Sequence, residues 1–369
     1  MEAFGRIWII FMSTTYLVIL NGHVSAEPCG NRATVARKRY AMYVWTTGFD
    51  RQVPGCDVAK FLEWNSKGSC FTHVWDTKAK RDWLWATCNL PGREIDAIFV
   101  SDVHHNLKEA YNTGNCATSA IARVKAMLTE GHTKVPNLKI YGLYAVSDID
   151  VSEKNLVKYI VHYNDVCANS KNERFDGVAT NNEAYAGIKC GNINERLKYL
   201  DNLEKIVTEA RKQINGTLLT HYSVSWHWGR CHGEMSNMTW KGKTADVSRH
   251  MIDIFDSIDV QVGYIIYPAI SDRMKIAGYD YAMALNKPIY TTVYTNKGSP
   301  CQITFFPDDT CRTKGHNETA MFTIFDGFSA NGISYTQPCI HYFRGVYSTG
   351  VHPGWPIHDA TGSSPIVGK

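Results

Sequence analysis

Side chains that could take part in chemistry follow four short apolar segments of the chain. The segments end in SDVHH (101–105), SD (147–148), NNE (181–183) and SWHW (225–228). Carboxyl groups and imidazoles transfer protons, and indoles offer flat apolar surfaces to a ligand. Loops are commonly polar, so this pattern indicates a site only where the segments share one edge of the fold.

The segments that carry these side chains alternate with amphipathic helices. Several predicted strands are continuously apolar, as strands covered on both faces are. We predict strands at 40–46, 95–100, 138–146, 175–180, 217–225, 257–267, 288–294 and 332–336, and helices at 117–130, 153–168, 194–213, 246–255 and 273–285.

Eight strands alternating with helices predict an α/β fold, a (β/α)8 TIM barrel formed by one domain over residues 27–369. An open doubly wound sheet is the alternative, but no G-x-G-x-x-G follows the first strand. Segment 70–75 also has strand character, and we assign it to an insertion around 56–92. Residues from about 340 onward have no regular period and are interpreted as an irregular tail. The strand ends would then meet at one face of the barrel, where barrel enzymes place their sites.

Residues 175–183 read FDGVATNNE. This segment resembles the fourth-strand signature of the chitinase family, glycoside hydrolase family 18, in which FDG is followed by alternating acids and a final Glu. The order of elements is similar from about residue 40 to 294, and only this strand is specific. The resemblance implies a glycan cleft in which Glu183 protonates the leaving oxygen. It also implies that Tyr267, or Tyr264 in the other register, faces the sugar.

Two positions depart from the family pattern. Asp176 and Glu183 match the first and last acids, whereas Ala179 and Asn181 replace the two middle acids. In that family the acetamido oxygen of the substrate is the nucleophile, so the enzyme does not use a second carboxylate for attack. The neighbouring acid orients the acetamido group and stabilises the cation. An uncharged amide at that position forfeits an electrostatic effect that elsewhere contributes about 3–4 kcal/mol.

Three functions are therefore compatible with the sequence. The first is a glycoside hydrolase acting on N-acetylglucosamine-containing glycans, with Glu183, Asn181, Asp176 and Tyr267 as the catalytic residues. The second is a non-catalytic chitinase-like lectin, and the third is a barrel that uses its His/Trp-rich rim for a small-molecule reaction such as an oxidation. The predicted ligand-binding residues are Trp226, Trp228, Tyr185, Asp102 and Tyr264.

No metal or cofactor is predicted. His104 and His105 are adjacent and are expected to point to opposite sides, and Cys231 is expected in a disulfide. The net charge of +4 is scattered, which argues against a nucleic-acid partner. The expected partner is a glycan or another small molecule, and the oligomeric state is left open.

The amino terminus predicts secretion. Arg6, an apolar run and the small residues 24–26 are typical of a signal peptide over residues 1–26. All eleven cysteines follow it, and an oxidising compartment lets them pair. We predict a Cys301–Cys311 disulfide across a short loop, and N-glycosylation at the sequons of Asn215, Asn237 and Asn317. No later segment is apolar enough to cross a membrane.

Overall fold

The computed structural model describes residues 40–45, 75, 77–101, 103–188, 191–229, 237–295, 299–306, 311 and 313–341. Their centre is a closed barrel of eight parallel strands, in which the first strand pairs with both the second and the last. Ten strands are numbered in chain order: β1 Tyr40–Val44, β2 Ile95–Ser101, β3 Lys139–Val146, β4 Gly177–Asn182, β5 Leu219–Ser225, β6 Met238–Trp240, β7 Lys243–Ala245, β8 Ser257–Gln261, β9 Ile289–Tyr294 and β10 Gln337–His341. The strands β6 and β7 form a separate antiparallel pair, and the other eight form the barrel. The predicted (β/α)8 barrel is confirmed.

Helices cover the outside of the barrel: α1 Lys78–Cys88, α2 Val103–Thr113, α3 Ser119–Lys134, α4 Val157–His162, α5 Ile193–Ala210, α6 Val247–Ile254, α7 Ala269–Ile276, α8 Tyr279–Ala284 and α9 Glu318–Asp326. Several of them begin at a residue whose side-chain oxygen accepts a backbone N–H of the first turn, which satisfies a donor that the helix leaves unpaired. These N-caps are Thr77, Thr118, Asn192, Asp246 and Asn317.

Alternate residues of each barrel strand face opposite sides, so the barrel has two cores. The larger core lies between the strands and the helices. The smaller core fills the barrel interior and consists of Ala41, Tyr43, Ala97, Phe99, Tyr141, Leu143, Ala179 and Cys339. Ala179 thus occupies an inward-facing, fully buried position on β4. The residues at positions 181 and 183 follow it at two-residue spacing and therefore share its face.

Three boundaries differ from the predictions for physical reasons. The sixth barrel strand ends at Gln261 and not at residue 267, because Gly263 adopts a left-handed conformation with a φ of 55°. The predicted helix 273–285 is two helices that break at Gly278, which has a φ of 97°. The last barrel strand begins at Gln337, five residues after the predicted start, since Gly332 ends a 3-10 turn with a φ of 75°.

Within the insertion around residues 56–92, the described part contains the helix α1 and the buried Trp75. Residues 70–74 lie outside the described residues, so the strand character of segment 70–75 remains a prediction. The proposed signal peptide and most of the tail after residue 340 also lie outside them.

The predicted Cys301–Cys311 disulfide is confirmed, with an S–S distance of 2.08 Å, and Cys116 pairs with Cys167. Among the described residues, Cys88 and Cys339 are buried free thiols. Asn215 and Asn237 are exposed, while Asn317 caps α9, and glycosylation of all three remains a prediction. No helix in the described part of the chain is long and apolar enough to cross a membrane.

Candidate functional site

A buried carboxylate lies at the centre of the barrel interior. Asp259 on β8 has no exposed surface, and its Oδ1 accepts hydrogen bonds from the Tyr43 hydroxyl at 2.6 Å and from His221 Nε2 at 2.9 Å. Its Oδ2 accepts from Ser223 Oγ at 3.0 Å and from the Thr292 hydroxyl. Burial and the charge of Asp259 raise the pKa of Tyr43 well above its usual range, so the phenol remains a donor. Four groups from three strands thus satisfy the buried charge.

A chain of hydrogen bonds runs from Asp259 toward the carboxyl end of the barrel. Ser223 is next to it, and Gln261 Nε2 lies 2.9 Å from Ser223 Oγ and 2.7 Å from Asn181 Oδ1. The Tyr294 hydroxyl donates to Gln261 Oε1 at 2.9 Å. Asn181 is only 7% exposed. The side-chain oxygen of Asn181 therefore accepts its hydrogen bond from Gln261.

Glu183 lies just after β4, two residues beyond Asn181. Its backbone N–H donates to the carbonyl oxygen of Val146 at 3.1 Å, which continues the pairing of β4 with β3. Burial and then the charge of Glu183 raise the pKa of both Tyr294 and Tyr185. The Glu183 side chain is partly exposed, and no donor among the described residues bonds to its carboxylate. Its carboxylate is therefore open to a ligand as far as the described residues go.

Aromatic side chains form the rim beside Glu183. The ring of Tyr185 stacks on His227 with centroids 5.1 Å apart, and the Ser225 hydroxyl lies 2.8 Å from His227 Nδ1. Burial and then the charge of Arg273 lower the pKa of His227, so the imidazole is neutral at pH 7. The guanidinium of Arg273 lies 4.2 Å from the ring centroid of Trp226.

The same guanidinium also contacts Tyr264, with its central carbon 4.0 Å from the centroid of the Tyr264 ring. Arg273 also donates to the carbonyl oxygens of Val262 and Gly263. One face of the Trp226 indole is therefore occupied by Arg273. Cation–π contacts of this kind hold both the arginine and the aromatic rings in place.

Sequence reasoning missed a second aromatic group on the opposite side of the barrel mouth. Trp45 Nε1 donates to His341 Nε2 at 2.8 Å, and the Tyr43 ring stacks on Trp45 with centroids 5.8 Å apart. Burial lowers the pKa of His341 to about 4, which fits an imidazole that accepts the indole N–H. Trp45 and His341 stand at the ends of the first and last strands, so their position at a strand end was the available signal.

The structure does not bring two predicted catalytic residues to this end. Asp176 precedes the first residue of β4, so it lies at the amino end of the barrel, about 20 Å along the strand from Glu183. Tyr267 is in the loop after β8, because that strand ends six residues earlier, and its hydroxyl donates to the Ile324 carbonyl of α9 at 2.6 Å. Both placements correct the sequence-based assignment.

Of the predicted ligand-binding residues, Tyr185, Trp226 and Tyr264 lie at the rim. Trp228 is a correction, since it is only 5% exposed and stacks on Tyr199 of α5. The 3-10 turn Trp226–Gly229 directs this side chain toward the helix layer. Asp102 lies outside the described residues. No group of three His, Cys, Asp or Glu side chains in the described part could hold a metal ion.

No protein-family model and no curated protein matches the sequence. Among solved structures, it is similar to a GH18 chitinase from Pseudoalteromonas aurantia, with 12% identity over 89% of this chain and 97% of that chain and a TM-score of 0.42. A tamarind chitinase-like lectin shares 10% identity over 89% and 99% of the two chains, with a TM-score of 0.38.

A xylanase and alpha-amylase inhibitor protein from Scadoxus multiflorus shares 10% identity over 82% of this chain and 92% of that chain, with a TM-score of 0.38. These similarities are weak at the level of sequence and of superposition. The (β/α)8 assignment rests on the strand pairing of this chain itself.

Proposed function

We propose that this protein is a chitinase-like glycan-binding barrel that binds N-acetylglucosamine-containing glycans at the carboxyl ends of its strands without appreciable hydrolysis. The observation that carries the proposal is the hydrogen bond from Gln261 Nε2 to Asn181 Oδ1, at 2.7 Å. It engages the only oxygen that the side chain at position 181 offers.

In substrate-assisted hydrolysis, the side-chain oxygen at this position has to accept a hydrogen bond from the substrate and not from the protein. The acid of the family accepts the acetamido N–H and stabilises the cation that forms when the acetamido oxygen attacks. Here Asn181 carries no charge, and Ala179 offers no second carboxyl in the barrel interior. Loss of comparable electrostatic groups lowers the rate by about 10²–10³. Glu183 alone would protonate the leaving oxygen without support for the opposite charge.

Binding needs less than catalysis, and the groups for it are present. Glu183 offers an open carboxylate that accepts hydroxyl hydrogen bonds, and Tyr185, Trp226 and Trp45 surround the mouth with aromatic surface. Sugar rings stack on such surface through their apolar faces. A neutral glycan is therefore the ligand class that this combination of one acid and several aromatic rings supports best.

Slow hydrolysis is the second candidate, and one observation favours it. Glu183 is partly buried beside Tyr294 and Tyr185, so it occupies a protected position at the carboxyl end of β4. A general acid needs such a position next to the scissile bond.

The test compares the wild-type chain with Glu183→Gln and with Thr180→Val as a matched control. Thr180 is buried on the outer face of β4, and its hydroxyl has no partner among the described residues, so the control leaves the barrel interior unchanged. Calorimetry measures binding of the N-acetylglucosamine pentamer, and chromatography measures its cleavage. We expect all three proteins to bind it and none to cleave it.

Cleavage by the wild type and the control, but not by Glu183→Gln, would establish the hydrolase instead. No binding of this pentamer by any of the three would contradict both candidates and would direct attention to a different, small ligand.

A further inference from the structure

The buried carboxylate of Asp259 determines which way the adjacent hydrogen bonds run. An ionised carboxylate only accepts, and each of its four partners has one proton to give in this contact. Ser223 has a single hydroxyl proton, and it is directed to Asp259 Oδ2 at 3.0 Å. Ser223 Oγ is thereby left as an acceptor for its other neighbour.

That neighbour is Gln261, whose amide orientation follows. Its nitrogen, 2.9 Å from Ser223 Oγ, must face the serine, because the oxygen would place two acceptors in contact. The second N–H of the same amide then donates to Asn181 Oδ1, and Gln261 Oε1 accepts from the Tyr294 hydroxyl. Every contact of the Gln261 amide is satisfied in this orientation only.

We propose that Asn181 binds its ligand as a hydrogen-bond donor, and that the chain from Asp259 through Ser223 and Gln261 imposes this polarity. Asn181 Oδ1 faces Gln261, so its NH2 group faces the ligand side, where Nδ2 has no partner among the described residues. The ligand group above it is then an acceptor, and in a glycan that contains N-acetylglucosamine we assign it to the carbonyl oxygen of the N-acyl substituent. The inference rests on the proposed function for the identity of the ligand, but not for the polarity of the chain.

The polarity has a consequence for chemistry. A carboxylate at position 181 would accept the acetamido N–H and leave the acetamido oxygen free to attack the sugar carbon. The amide of Asn181 binds that oxygen itself and so withholds the nucleophile. Glu183, about 7 Å further along the same face of β4, accepts from an N–H or hydroxyl of the same ligand. The site thus selects N-acylated sugars and opposes their cleavage.

The first experiment compares Asn181→Ala with Asn181→Asp in binding the N-acetylglucosamine pentamer at pH 7. If Asn181 donates, the alanine variant loses about tenfold in affinity, which is the upper range for one hydrogen bond. The aspartate variant loses at least as much, because its carboxylate faces a carbonyl oxygen. Binding by the aspartate variant that equals or exceeds that of the wild type would overturn the proposal.

The second experiment tests the positioning role of Ser223. Ser223→Ala removes the acceptor that orients Gln261, so we expect weaker binding of the pentamer. The double variant with Asn181→Ala should bind no more weakly than Asn181→Ala alone, since both changes remove the same interaction. Thr180→Val serves as the control for a general effect on β4 and should bind like the wild type. Fully additive losses in affinity would mean that Ser223 acts on binding independently of Asn181, and would overturn its positioning role.

A third measurement needs no ligand and separates this inference from the proposed function. In the NMR spectrum of the 15N-labelled chain, the Gln261 NH2 protons should show contacts to the Ser223 β-protons. Contacts from these NH2 protons to the Tyr294 ring instead would overturn the polarity. Failure of every glycan to bind would contradict the proposed function, and this NMR result would still decide the polarity of the chain.

Discussion

Two carboxyl groups at the amino end of the barrel, Asp176 and Asp256, differ in their hydrogen bonding from two at the carboxyl end, Glu153 and Glu183. At the amino end, Asp176 accepts from His132 Nε2 at 2.8 Å, from Lys139 Nζ at 2.9 Å and from the Ile140 backbone N–H at 2.9 Å. Asp256, just before β8, accepts from Arg211 Nη2 with both of its oxygens, and from the backbone N–H and the hydroxyl of Thr220. At the carboxyl end, neither Glu153 nor Glu183 has a hydrogen-bond partner for its carboxyl oxygens among the described residues.

The pKa values follow this difference. Burial alone would raise the pKa of Asp176, but the hydrogen bonds of His132 and Ile140 hold it below its ordinary value. Glu153, which is fully buried in the 3-10 turn after β3, has its pKa raised by burial to about 8. Acids with several donors hold strands and helices together, whereas a buried acid without a partner costs stability.

The largest expected effect that tests this contrast comes from Glu153. Its pKa in the folded state is raised from 4.5 to about 8, so the stability of the protonated form is fully present below pH 4.5 and is lost as the pH rises to 8. The loss is up to about 1.4 kcal/mol per pH unit in that window. Glu153→Gln should remove this slope.

Urea unfolding of the wild type and of Glu153→Gln at pH 5 and pH 8 measures this pH dependence of the free energy of unfolding. The two proteins should diverge at pH 8, with the variant the more stable. Parallel pH profiles would show that the buried carboxyl group of Glu153 does not lower the free energy of unfolding at high pH.

The next prediction compares the effects on stability of Asp176 and Glu183, the first and last acids of segment 175–183. Asp176→Asn removes a charge that two cationic side chains and a backbone N–H bind, and should lower the free energy of unfolding by about 2 kcal/mol. Glu183→Gln, which removes the open acid, should change it by less than about 0.5 kcal/mol. Chemical denaturation at pH 7 measures both. Equal losses would break the contrast between a structural and an open carboxylate.

The smallest effect concerns the histidine at the amino end. Burial lowers the pKa of His132. The hydrogen bonds to Asp176 and to the Asn172 carbonyl raise it by more than burial lowers it, so the pKa lies above its ordinary value of 6.5. The stability from this pair is therefore present below pH 6.5 and lost as the pH rises through the raised pKa. His132→Gln should cost about 1 kcal/mol near pH 5.5 and little above pH 8.

Thermal unfolding of His132→Gln and the wild type across pH 5 to 9 checks this expectation. A cost that stays constant over the range would mean that the imidazole serves only as a neutral hydrogen-bonding group beside Asp176.

Most of the barrel could be predicted because its strands are short, apolar and separated by helices with a regular stripe. The wrong boundaries lie at glycines with positive φ. At Gly263 and Gly278 the backbone changes direction although the residues before and after the glycine are largely apolar. Tyr267 was misplaced for this reason. Trp228 was misplaced because a short 3-10 turn, rather than the strand, sets its direction.

The sequence by itself determined the alternation of strands and helices, the Cys301–Cys311 pair and the shared face of Asn181 and Glu183. Each depends on residues that are close in the chain or that follow the two-residue period of a strand. Only the tertiary structure decided which groups surround Asp259, since Tyr43 is 216 positions away from it in the chain. The closed barrel brings these distant strands into one buried interior, where an unpaired charge is costly, and so only the fold sets the direction of the hydrogen bonds that reach Asn181.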